Sequence, residues 1–228
     1  MPNHARRNCY SASTLITCLL LFMTSCAESG DSADEKTDVA VQPSISADAG
    51  ETDTAEIAER LAIAEAMIDA FYSFDPEQLA PMLAEAGDST ARLLYYQGWA
   101  EGGNYKIVKR GACVADTPVE VRCPITVEDD PVMALGSDFK VTDTFTITFE
   151  GTTISGVETS SNDQPIYYLA RDWVQANMPE IMEGPCKDSF AGGPTPGDCA
   201  RAMAEGYRAF AASDEFPGLD AEPAEPAS

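Results

Sequence analysis

Phe139-Lys140-Val141-Thr142-Asp143-Thr144-Phe145-Thr146-Ile147-Thr148-Phe149, with Glu150-Gly151-Thr152 and the run Thr153 to Thr159 behind it, decides the fold. Phe139, Val141, Phe145, Ile147 and Phe149 share one parity, which places them on one face of a strand. Asp143 interrupts that face with a carboxyl group. Glu150-Gly151-Thr152 turns the chain back, so Thr153 to Thr159 is the antiparallel neighbour. Val119, Val121, Cys123, Ile125 and Val127 alternate in the same way upstream, and Tyr105 to Val114 reads as one further strand.

Around this sheet the period changes to that of helices. Asp53 and Glu56 resemble a capping box, and Ile57, Leu61, Ala64, Ile68 and Phe71 repeat at spacings of four and three on one face. Asp75-Pro76-Glu77-Gln78 is a second start, with an N-cap, a proline at the first helical position and an acid in the first turn. Leu79, Met82 and Leu83 supply its apolar side, Gly87 its end, and Pro81 should shorten or kink it. A third helix begins near Asp88-Ser89, carries Leu93, Leu94, Tyr95, Tyr96 and Trp99, and stops at Gly102-Gly103. Beyond the sheet, Pro165 opens a helix with Ile166, Leu169, Ala170, Trp173 and Val174 on one face, and Asp198 caps a last one through Met203, Tyr207 and Phe210. Helices, a curled antiparallel sheet and two further C-terminal helices make an α+β layout.

The ends are different in kind. Arg6 and Arg7 followed by the apolar run Leu15 to Met23 have the make-up of a secretory signal too short to span a bilayer. Leu20-Leu21-Phe22-Met23-Thr24-Ser25-Cys26 resembles the lipobox of a bacterial lipoprotein, which implies removal of residues 1–25 and acyl chains on Cys26. An ordinary cut near Ser25 or Ala27 is the alternative. Ala27 at the second mature position implies, by the same resemblance, a cell-envelope protein anchored in the outer membrane and facing the periplasm. Residues 26–52 are acidic and without apolar periodicity, and are expected to form a disordered tether. Residues 214–228, with Pro217, Pro223 and Pro226, are expected to be an acidic disordered tail, leaving 53–213 as one domain.

Loss of the leader takes with it His4, the only histidine, and therefore every Ser/His/Asp or Cys/His nucleophile and every histidine-ligated metal site. Cys9 and Cys18 go as well, and Cys26 would carry lipid, so four of the seven cysteines remain: Cys113, Cys123, Cys186 and Cys199. Three pairings are possible. Pairing of Cys113 with Cys123 and of Cys186 with Cys199 is favoured because each pair brackets a local turn, Ala115 to Pro118 in one and Gly192 to Gly197 in the other. A four-thiolate zinc site is the rival, without Cys-x-x-Cys spacing and in an oxidising compartment. Removal of Arg6 and Arg7 takes the net charge from −24 to −26, which excludes a nucleic-acid binder and leaves a solvated acidic surface, a cationic ligand or divalent cations.

Residues 54 to about 160 resemble the nuclear-transport-factor-2-like (SnoaL-like) superfamily. The carrying features are the first helix ending Phe71-Tyr72-Ser73-Phe74, the start Asp75-Pro76-Glu77-Gln78-Leu79, and the hairpin Phe145 to Ile154. The resemblance implies N-terminal helices on a cone-like half-barrel, with a pocket that some members use for isomerisation, cyclisation or hydrolysis and others only for binding. Fold does not choose among these.

Asp143 is the first pocket candidate by strand parity, since an acid among Val141, Phe145 and Ile147 would have its charged form disfavoured. The alternative is a wet strand end paired with Lys140, Arg110 or Arg122. Tyr95 and Trp99, four apart on one helix face, are the other candidates, or else they are core aromatics. The acid–arginine–acid set of the family's epoxide hydrolases finds no matching motif. Glu128-Asp129-Asp130 reads as a solvated turn rather than a calcium loop, and Gly192-Gly193 as a turn rather than a phosphate loop. No cofactor and no metal are called for. The expectation is a domain that binds a small molecule or an envelope protein without chemistry of its own. The alternatives are a histidine-free isomerase, cyclase or hydrolase using Asp143 with Tyr95, and an envelope-assembly module.

Intact mass of the mature chain from the membrane fraction checks the anchor. A chain starting at Cys26 with acyl additions is expected; an unmodified chain cut elsewhere would contradict it.

Overall fold

Apolar residues spaced by three and four dominate the chain before Gly103, and in the computed structural model, which describes residues 48–189 and 196–220, they lie on helices. Helix α1 runs Asp48–Tyr72, α2 Pro76–Leu79, and a 3-10 turn Ala80–Leu83 leads to α3, Asp88–Gly102. Pro81 does shorten the second helix, because a proline ring in a helix interior clashes with the preceding turn. Asp75 accepts a hydrogen bond from the Glu77 N–H at 2.9 Å, the expected N-cap. The capping box at Asp53 is not a helix start. Helix α1 begins at Asp48, five residues earlier.

The sheet follows: β1 Lys106–Arg110, β2 Val114–Thr117, β3 Glu120–Glu128, β4 Val141–Glu150 and β5 Thr153–Ser161. All pairs are antiparallel, in the order β1-β3-β4-β5, with β2 on β3 beside β1. The single strand expected over Tyr105 to Val114 is two, because the chain bends where the Gly111 N–H donates to the Pro124 carbonyl and Cys113 bonds to Cys123. Between β3 and β4 lies a short helix absent from the sequence reading, α4, Asp130–Ala134. The last helices are α5 Pro165–Asn177, α6 Pro179–Glu183 and α7 Pro196–Ala211. They number three rather than the expected two, and α7 starts at Pro196 instead of at an Asp198 cap, a position that suits proline. The described residues thus make an α+β fold of seven α-helices and a five-stranded antiparallel sheet.

Two apolar clusters fill it. One joins Ala64, Met67, Ile68 and Phe71 of α1 to Val121, Cys123, Ile125 and Val127 of β3 and to Phe145, Ile147 and Phe149 of β4. The other joins Ile166, Ala170 and Val174 of α5 to Cys199, Met203, Tyr207 and Phe210 of α7, with Trp99 of α3. Gly102 lets α3 approach α7 so closely that a side-chain carbon there would collide with the Gly197 backbone. Both expected disulfides form, Cys113 to Cys123 and Cys186 to Cys199, so the thiols are not available to zinc. Phe216, placed in the expected tail, packs on Phe210 at a ring separation of 5.4 Å, so packing continues past residue 213. Residues 1–47, which take in the expected leader, Cys26 and most of the expected tether, lie outside the described residues, as do residues 190–195, with most of the expected Gly192 to Gly197 turn, and residues 221–228 of the expected tail. Among the described residues no helix is long and apolar enough to cross a membrane.

Arg60 ties α1 to two turns of the sheet. It is 6% exposed and donates to the carbonyl of Gly151 at 2.6 Å and to that of Pro118, while Glu56 holds it at 2.5 Å. Gly151 adopts φ +59°, a conformation that aims its carbonyl where few side-chain-bearing residues could. Arg60→Met would leave both carbonyls short of a donor, and a loss of about 2 kcal/mol is expected in urea unfolding. A loss below about 0.5 kcal/mol would contradict the clamp.

Candidate functional site

Strand parity holds without a slip from Val141 to Thr148 along the β3–β4 ladder, so Asp143 points inward with its neighbours Val141 and Phe145. It is 1% exposed. The wet-end alternative fails because the basic residues offered as partners are used elsewhere. Lys140 pairs with Glu128 at 2.5 Å, Arg122 with Asp116 at 2.6 Å, and Arg110 with Glu65 at 2.6 Å and with Asp69. What meets the carboxylate instead is a pair of phenols. Tyr72 donates to its Oδ2 at 3.4 Å, and Tyr96 shares a second hydrogen bond with it.

The two phenols are positioned by packing. Tyr72 ends α1 immediately after Phe71, whose ring meets Phe145 at 5.0 Å and Tyr96 at 5.2 Å. Tyr96 lies stacked on Phe145 at 6.3 Å. Gln97, 2% exposed, donates to the carbonyls of Ala70 and Phe71 at 3.0 and 3.1 Å and so fixes the end of α1 against α3. Rings locked in this way hold their hydroxyls in place with little entropy left to lose.

A cavity of about 300 Å³ opens beside Asp143. Tyr95, Tyr96 and Trp99 come from α3, Tyr105 from the loop after it, Tyr167 from α5 and Tyr207 from α7. Thr159, Ser160 and Ser161, exposed at the end of β5, form its rim, and Asp163 and Arg171 complete the lining. Tyr96, Tyr105 and Tyr167 each pack against both apolar clusters, so the cavity follows the seam between them. Phe145 and Phe149 are buried in the first cluster and leave this end of the sheet open.

All three sequence candidates, Asp143, Tyr95 and Trp99, therefore line one space, but their roles differ from the expectation. The hydroxyl beside Asp143 belongs to Tyr96 and Tyr72, not to Tyr95. Tyr95 Oη is buried without a partner. Trp99 shares a side-chain hydrogen bond with Tyr105. Missed altogether were Asp163, Arg171, Tyr167 and Tyr207, which flank or belong to helices whose apolar faces gave no hint of a shared wall. Asp163 accepts from Ser161 Oγ at 2.5 Å and from Tyr168 Oη at 3.3 Å, and Arg171 holds Asp172 at 2.8 Å.

Electrostatics follow from burial. Withdrawal from water raises the Asp143 pKa to about 6, against the lowering effect of the Tyr96 and Tyr72 hydroxyls and with help from the charge of Asp163. Tyr96, Tyr105 and Tyr167 are pushed well above the usual phenol range by burial and remain neutral donors. Asp129 overturns the solvated turn expected at Glu128-Asp129-Asp130. It is 3% exposed, caps α4 by accepting from the Val132 N–H at 2.9 Å, and is raised to about 7 by burial. The arrangement can hold a polar small molecule against a carboxylate able to exchange a proton near neutral pH.

No protein-family model, curated protein or solved structure matches this chain.

Both raised carboxyls bind their proton more tightly folded than unfolded. Their stabilisation is complete below the ordinary value of 3.8 and is lost as pH rises through about 6 for Asp143 and about 7 for Asp129. Unfolding free energy should therefore fall between pH 5 and pH 8, above the range in which Asp75, Asp116 and Glu128, all lowered by hydrogen bonds, titrate. Asp143→Asn should remove about 1 kcal/mol of that fall and Asp129→Asn about 2 kcal/mol. An unchanged slope in Asp143→Asn would contradict the burial of its carboxyl group.

Proposed function

We propose that this chain is an exported, lipid-anchored protein whose α+β domain, of nuclear-transport-factor-2-like (SnoaL-like) form, binds a small molecule in the Asp143 cavity. The cavity carries this reading: about 300 Å³, walled by aromatic rings, with a few convergent polar groups. Helices on the inward face of the sheet, and strands that pair in the order of a rolled antiparallel layer, support a cone-like half-barrel whose open end lies at Asp143. The two disulfides favour an oxidising envelope compartment. Acyl chains on Cys26 would hold the domain to the periplasmic face of the outer membrane. The partner is then a small envelope molecule rather than a nucleic acid, which the net charge of −24 would repel.

A second reading, proton transfer by Asp143 in an isomerase, cyclase or hydrolase, is favoured by one observation: a carboxyl near pKa 6 sits beside two neutral phenols. Such a group is ionised enough at neutral pH to take a proton, and the Tyr96 hydroxyl could stabilise the oxyanion formed. Turnover of a bound molecule that disappears in Asp143→Asn, with the fold retained, would select this reading over simple binding.

Thr159→Trp places a large ring at the exposed rim and should fill the mouth without touching either apolar cluster. Small molecules that raise the melting temperature of the unaltered chain are expected to lose that effect in the variant. Ligands that stabilise both equally would place binding elsewhere.

A further inference from the structure

We infer that the Asp143 cavity selects a small organic cation of the quaternary or tertiary ammonium kind. The inference rests on the ligand-binding reading above and adds the charge and class of the ligand.

The first support is charge balance inside the wall. Asp143 is buried and meets only phenols, and Asp163 lines the same space with a second carboxyl. Arg171 is the one basic lining residue among those described, and its guanidinium is already committed. It holds Asp172 through Nε and Nη2 at 2.9 and 2.8 Å and lies 5.3 Å over the Tyr168 ring. An anion entering here would face two carboxyls against the single guanidinium of Arg171, itself paired with Asp172. A cation would supply the partner that Asp143 lacks, and a buried carboxylate without one is costly.

The second support is the nature of the walls, in which six of the twelve lining residues are aromatic. Tyr96 and Tyr105 stand at 88° with centroids 6.4 Å apart, and Tyr167 and Tyr207 at 86° and 5.3 Å. Perpendicular pairs expose ring faces as well as edges, and ring faces attract cations, most strongly where water is excluded. Alkylated ammonium groups cannot use many hydrogen bonds, and here the inner hydroxyls other than that of Tyr95 are already spent: Tyr96 on Asp143, Tyr105 on Trp99, and Tyr167 on Tyr207. A wall of rings with acids behind it matches that chemistry.

Linkage supplies a sign that separates the classes. A cation near Asp143 favours its ionised form, so the cation should bind more tightly as pH rises past about 6, whereas a neutral molecule that dries the cavity favours the protonated form and weakens. The groups that act on Asp143 are the phenols Tyr72 from α1, Tyr96 from α3 and Tyr105 after it, and the carboxyls Asp163 beyond β5 and Asp129 before α4. Asp129, raised by burial to about 7, gains charge over the tested range in the same sense as Asp143, and the Asp143→Asn variant separates the two.

The test is calorimetric titration of the purified chain at pH 5 and pH 7.5 with choline, its neutral isostere 3,3-dimethylbutan-1-ol, 3,3-dimethylbutanoate and glucose. Choline is expected to bind at least tenfold tighter than each of the others at pH 7.5, to weaken several-fold at pH 5, and to lose its preference over the neutral alcohol in Asp143→Asn. Equal or tighter binding of the alcohol, the acid or glucose would overturn the charge inference and leave the binding cavity standing. Failure of choline also overturns it. If molecules from the melting screen still bind in a Thr159→Trp-sensitive way, only the ligand class is lost; if none does, the cavity reading falls with it.

Discussion

A carboxylate turned inward on β4, met by phenols rather than by a base, is the constraint on which the rest of this structure depends. Burial of Asp143 among Val141, Phe145 and Ile147 disfavours its charge, and the surrounding framework supplies only partial compensation through Tyr72 and Tyr96. Those two hydroxyls stay in place because Phe71, Phe145 and Tyr96 pack ring against ring and because Gln97 fastens the end of α1. An apolar side chain at this position would pack at less cost. An acid in such surroundings is what the proposed ligand-binding role would make use of.

The C-terminal helices give the constraint its enclosure. Sheet and N-terminal helices alone would present Asp143 at the open end of a layer. With α5 and α7 in place, Tyr167 and Tyr207 form the opposite wall, and the second apolar cluster seals it from behind. The Cys186 to Cys199 bond fixes the segment after α6 to α7, and the absence of a side chain at Gly102 lets α3 and α7 close up. Stability and site are thus built by the same contacts. The seam between the two clusters is where packing is incomplete, and that incompleteness is the cavity.

Much of this was legible in the chain. Period-two patterning in Val141 to Phe149 and in Val121 to Val127 identified which side chains face inward, including Asp143, because parity on an unbroken ladder leaves no freedom, whereas Val119 and Phe139, given the same parity, lie before their strands and Val119 is exposed. Local turns were enough to pair the cysteines. Other features depend on contacts distant in sequence and carry no local signal. Arg60 looks like one more charge on an amphipathic helix, yet it is buried against turns contributed by Pro118 and Gly151. Asp129 looks like part of an acidic turn, and only the helix that follows makes it a buried cap. Tyr95 was preferred to Tyr96 because helical spacing relates residues on one helix to each other, not to a strand packed across from them. Asp163 and Arg171 join the wall only through the fold.

Direct titration of the Asp143 side-chain carboxyl by carbon-13 NMR tests the central claim, that this acid is dry and lies against a ligand space. A midpoint near 6, moving when a ligand enters the cavity, is the expected result. A midpoint near the ordinary 3.8, unmoved by ligands that bind the protein, would mean a solvated carboxylate and would contradict the site described above.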